Sequence, residues 1–185
     1  MPDKTTPISL RLDKTVLNRL REESDIEGIS LNALMNRIVE EYIDWHRYAP
    51  KAGFVAIPKP LLIRLMQRVS PKELAKVSEF LSKSEIKGIL MLLRKKWDIS
   101  SFLDALQAWA RASGLSFRHD IEGDSDLYII QHDMGLKWST FMGTIWKLLL
   151  VELTPREFRF EVTDNVISFK IRSKKLGSKS RTIAA

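Results

Sequence analysis

Residues 8–12, Ile-Ser-Leu-Arg-Leu, alternate apolar and polar. A period of two predicts a short strand, with Ile8, Leu10 and Leu12 on one face and Ser9 and Arg11 on the other. Asp13 or Thr15 then caps a helix over about 14–25, whose inner face includes Val16, Leu17 and Leu20. Gly28 suits the turn that follows, because glycine accepts the positive φ found past a helix end. Ser30 caps a second helix over about 31–48. Its apolar residues Leu31, Leu34, Ile38, Tyr42 and Trp45 recur at spacings of three and four. Ala49-Pro50-Lys51-Ala52-Gly53 breaks that pattern and predicts a linker.

Beyond it, residues 54–57 predict a short extended piece, and Pro60 opens a helix to about 69. Ser70, Pro71 and Glu73 form a capping arrangement for a helix over about 71–81. Ser84 opens the next, to about 96, and Ser100 or Ser101 opens another that Gly114 ends. The last third changes period. Strands are expected at 115–121 and 127–132, around the turn Glu122-Gly123-Asp124-Ser125. A helix over about 135–152 is apolar around most of its circumference, so it is expected to be buried; Trp138, Phe141, Met142 and Trp146 lie on it. Strands at about 157–163 and 166–172 are joined at Asp164-Asn165, a hairpin signal. The order helix–strand–strand thus occurs twice, which suggests an internal repeat.

The chain has 185 residues, of which 44% are hydrophobic and 29% charged, a globular balance. No apolar run approaches the roughly 20 residues of a membrane span, and the start has no apolar stretch of signal-peptide length, so a cytoplasmic protein is expected. Cysteine is absent, which excludes disulfides, thiolate metal sites and thiol catalysis. The net charge of +7 is unevenly spread. Residues 1–50 carry −2, 51–97 carry +8, 98–171 carry −4 and 172–185 carry +5. The middle block fits either a solvated helical face or a polyanionic partner.

The first 48 residues carry the most specific pattern. Ile-Ser-Leu-Arg-Leu at 8–12, Asp-Lys-Thr-Val-Leu at 13–17 and Gly-Ile-Ser-Leu-Asn at 28–32 follow one another in an order and spacing that resembles the ribbon-helix-helix superfamily of Arc, MetJ and CopG-like regulators. A lone strand of five residues has no partner and one apolar face, so it requires a second copy. The resemblance implies a homodimer whose two strands pair into an antiparallel ribbon that enters the major groove of double-stranded DNA. It implies that Pro7, Ser9 and Arg11 contact bases; an arginine bonds guanine O6 and N7 bidentately, worth about 1–3 kcal/mol of discrimination. It also implies that Ser30, the Leu31 amide and Asn32 hold phosphate at the start of the second helix, with Lys14 contributing charge. Two features depart from that picture: the segment is net acidic, and residue 7 is a proline where a longer polar reader can stand. Both suggest few bases read per chain, with specificity from tandem dimers or DNA shape.

The expected organisation is α+β. A ribbon-helix-helix domain spans 1–49, a linker 50–53, and an α+β domain with antiparallel hairpins around a long apolar helix 54–172. A basic tail, expected to be disordered, spans 173–185. The expected function is a sequence-specific transcriptional regulator, dimeric or tetrameric, whose second domain serves effector sensing or oligomerisation. The alternative is an antitoxin that autoregulates through the same ribbon and binds a toxin with its C-terminal part. A module in which the ribbon pairs protein alone is the third reading. Enzymatic activity is not expected, because no P-loop, dinucleotide turn, HExxH or serine elbow is present. No cofactor or metal is expected either. The carboxylates from Asp120 to Asp126 alternate as in a calcium loop, but glycine stands at the fourth place and Gln131 at the twelfth. The pairs His119-Asp120 and His132-Asp133 lie near one end of the hairpin if the strands pair, where structural roles are expected.

Overall fold

The computed structural model describes residues 6–173, so the basic tail expected from 173 onward lies, beyond Ser173, outside the described residues. Contacts divide the chain into two units, Met1–Ile43 and Asp44–Ala185. The boundary falls earlier in the chain than the break expected at 50–53. Residues 47–53 are hydrogen-bonded turns, and Ala49 is buried in the core of the second unit.

In the first unit, the strand expected at 8–12 is not formed within the single chain: among the described residues, 6–12 pair with no other strand. The physical reason is the one already given, that an isolated strand has no ladder to join. Helix α1 (Lys14–Ile26) and helix α2 (Leu31–Glu41) follow, and α2 runs into one π-helical turn at Tyr42–His46. Leu34, at the centre of α2, is buried, while Leu17 and Leu20 of α1 are half-buried.

The second unit begins helically with α3 (Lys59–Arg68), α4 (Pro71–Phe80), α5 (Ile86–Arg94) and α6 (Ile99–Ala112). Residues 54–58 join no sheet; Phe54 instead packs edge-on against Trp45, with ring centroids 4.8 Å apart. Two expected helix starts are corrected. Ser84 caps nothing: it lies in a π-helical turn, Leu81–Glu85, that carries α4 into α5, and its hydroxyl donates to the Phe80 carbonyl at 2.6 Å. A serine that bonds back to the residue four before it tolerates a helix interior. Helix α6 is capped by Asp98 rather than by Ser100 or Ser101; the Ser101 amide is the donor, at 2.8 Å.

Strands β1 (Ser116–Glu122) and β2 (Ser125–Gln131) form a hairpin closed at Gly123-Asp124, and β3 (Phe158–Val162) and β4 (Val166–Arg172) form a second. Between them runs α7 (Leu136–Leu153). The sheet order is β1-β2-β4-β3, antiparallel throughout. Two helix-hairpin units therefore meet second strand to second strand, which is what the repeated helix–strand–strand order produces when its copies pair. One face of the sheet carries Ile130, Ile167, Phe169 and Ile171, all buried, and α6 and α7 pack against the sheet. A row of rings crosses all four strands on that face: His119, Tyr128, Phe169 and Phe160, at successive centroid spacings of 4.4, 5.1 and 5.7 Å. The other face carries charged residues on its edge strands, among them Arg118 and Glu122 on β1 and Arg159 and Glu161 on β3, while Leu127, Ile129 and Ser168 along its middle are half-buried.

Lys137 holds α3 in place. Its ammonium donates to the carbonyls of Gln67 at 2.7 Å and Val69 at 2.9 Å, groups that a helix end otherwise leaves unpaired. At the other end of α3, Lys59 pairs with Asp133 at 2.7 Å.

Candidate nucleic-acid interface

The first unit contains every residue for which a DNA contact is expected. The Asp13 carboxylate accepts the Thr15 amide at 2.8 Å and so starts α1, with Lys14 as its first residue, exposed. That bond favours the charged carboxylate and holds Asp13 below the usual range. Thr15 is therefore the amide donor to the cap, not the cap. At the other end, Gly28 adopts a φ of +66°, which turns the chain between the helices. Ser30 then accepts the Ala33 amide at 3.1 Å and opens α2. The side chain of Ser30 is committed to this cap, but it stays exposed, as does Asn32, while Leu31 is half-buried.

One interaction joining the helices was not foreseen. The Arg37 guanidinium donates to both carboxylate oxygens of Glu27, at 2.5 and 2.6 Å. The bidentate geometry lowers the Glu27 carboxyl below its ordinary range. Opposite charges on either side of a predicted turn were the available signal, but the separation of ten residues matches no within-helix pairing rule.

Pro7, Ser9 and Arg11 lie together in the unpaired, exposed stretch before α1. Ser30, Leu31 and Asn32 lie together at the start of α2. Among the described residues, no hydrogen bond or ion pair joins the two groups. The intervening apolar positions are also uncovered: Ile8, Leu10 and Leu12 are 77%, 60% and 41% exposed. An alternating apolar stripe so open to water is costly unless another surface covers it.

The histidines are not brought together. His119 lies midway along the first hairpin, opposite Tyr128, with its Nε2 3.0 Å from Asp126. His132 lies past the open end of that hairpin and is buried. Its Nδ1 accepts the Met134 amide at 3.2 Å, so the proton sits on Nε2, which faces the Ser139 hydroxyl at 2.8 Å. Ser139 in turn donates to the Asp164 carbonyl at 3.1 Å. This chain joins the end of β2, the first turn of α7 and the β3–β4 turn, and Ser139 is fully buried, so no substrate reaches it. Among the described residues, no group of three or more histidines and carboxylates stands close enough to hold a metal ion, and no helix is long and apolar enough to cross a membrane.

No family model matches the chain, and no curated protein matches it.

Proposed function

We propose that this protein is a homodimeric, sequence-specific DNA-binding regulator of the ribbon-helix-helix type. In this reading, two copies pair over residues 8–12 and insert the ribbon into the major groove. Ser9 and Arg11, with Pro7 at the edge, meet the bases. Ser30, the Leu31 amide and Asn32 meet phosphate, with Lys14 adding charge. The second unit serves effector sensing or assembly. The observation that carries this reading is the exposed apolar stripe Ile8, Leu10 and Leu12, unpaired in one chain and immediately followed by two capped helices. A second copy supplies the missing ladder, and the helices of the two copies together supply the missing apolar cover.

The test is selection of sheared genomic DNA by the purified full chain at about 150 mM salt, because salt sets the affinity. Wild type and Arg11→Ala are compared, and bound fragments are sequenced. A short repeated or palindromic motif with wild type, absent with Arg11→Ala while the dimer persists, is expected. Equal, motif-free recovery by both overturns base reading by the ribbon. The antitoxin alternative is separated by limited proteolysis without a partner, where a resistant core over the second unit argues against it.

A further inference from the structure

The ribbon unit is net acidic, yet any DNA partner is a polyanion, so the attraction must come from elsewhere. The middle of the chain, 51–97, carries +8. The structure separates the cations there that are already engaged from those that are not. Lys59 pairs with Asp133, Lys76 with Glu73 and Lys83 with Glu79. Arg94 donates to the carbonyls of Asp44 and Asp104, and Lys87 lies over the Trp97 ring. Arg64, Arg68 and Lys72 make no ion pair among the described residues, nor do Lys51, Lys95 and Lys96; Arg64, Arg68 and Lys72 are all exposed. Arg64 and Arg68 stand one turn apart on the outward face of α3, and Lys72 follows in the first turn of α4, across the short Val69-Ser70 link. From residue 50 to residue 72 there is no acidic side chain at all. Helix α3 is also fixed on the domain at both ends, through Lys59 and through Lys137, so its outward face is presented rigidly.

We propose that this face, Arg64, Arg68 and Lys72, is a second DNA surface that binds the phosphate backbone without reading sequence. Three uncommitted cations with no carboxylate between them match a row of phosphates by charge. Leu61 and Leu65 share the face, at 50% and 51% exposed, and an acidic amphipathic protein segment is the competing occupant. DNA is favoured because the ribbon unit lacks the positive charge its partner requires. The inference rests on the DNA-binding reading above but concerns different residues, so the two are separable.

The experiment measures affinity of the full chain for a duplex as a function of salt. Each phosphate neutralised adds about 0.9 to the slope of log K against log salt. In Arg64→Gln/Arg68→Gln the slope should fall in magnitude by about 0.9 for every phosphate no longer neutralised, about twofold that in a dimer using both copies, with unchanged preference among sequences. Lys83→Gln, which removes an engaged lysine, should leave the slope at the wild-type value. Circular dichroism melting of each variant checks folding. A wild-type slope in the double variant, with a DNA motif still selected, overturns this proposal, leaves the ribbon reading standing and points to an acidic protein partner. A reduced slope, with Arg11→Ala binding as wild type does, supports this surface and removes the ribbon reading. No DNA binding by wild type overturns both.

Discussion

His132 shows how one residue's chemistry depends on its neighbours. Burial holds its imidazole below the ordinary value of 6.5, with Asp133 opposing and Lys59 reinforcing. Protonation would turn Nδ1 from acceptor to donor and set it against the Met134 amide. The folded state therefore resists a proton that the unfolded chain accepts near pH 6.5, and stability present above that pH is lost as pH falls towards the folded value. Urea midpoints measured from about pH 7.5 down to about pH 5.5 should fall, and His132→Gln should flatten that dependence. Ser139→Ala strands the Nε2 proton and should cost about 1–3 kcal/mol, read as a lower thermal midpoint. Neither role was legible in the sequence, where His132-Asp133 reads as an adjacent pair. The hydroxyl that decides the matter stands seven residues on, in a helix whose orientation only packing sets. Arg11 is the opposite case, since its place on the polar side of an alternating pentapeptide follows from spacing alone.

At the scale of elements, most helices were legible because their ends carry local chemistry. Asp13, Ser30 and Ser70 each accept an amide of the first turn, as expected from their type and position. The misplaced starts at Ser84 and at Ser100 or Ser101 have different causes. Ser84 bonds back within its helix, as serine can, whereas Asp98, a capping residue type just upstream, takes the role expected of Ser100 or Ser101. Close packing between elements was not legible either. Gly143 sits in α7 where an added Cβ would lie 3.0 Å from Val162 Cγ2 and 3.1 Å from Phe160 Cε1. Helix propensity alone favours Gly143→Ala by about 1 kcal/mol. Overpacking against β3 costs about 1–3 kcal/mol, so the variant should melt at a lower temperature than wild type. A higher midpoint would show that β3 yields at no cost.

For the whole molecule, the decisive expectation is the number of chains. Ile8→Ser/Leu10→Ser/Leu12→Ser should convert a dimer to a monomer by sedimentation. The near-ultraviolet circular dichroism of the second unit should persist, because its aromatic core is built within one chain. If the triple variant stays dimeric, the ribbon is not what joins the two copies. The sequence by itself determined the α+β class, the helix caps at Ser30 and Ser70, the two hairpins and the apolar stripe at 8–12, since each rests on residue type and spacing within a few positions. Tertiary structure decided the rest. It set the second strands side by side at the centre of the sheet, gave His132 its serine and gave α3 its lysine clasp. It also left Arg64, Arg68 and Lys72 without counter-charges among the described residues. These outcomes depend on which surfaces meet across long stretches of chain, and periodicity and capping carry no record of that.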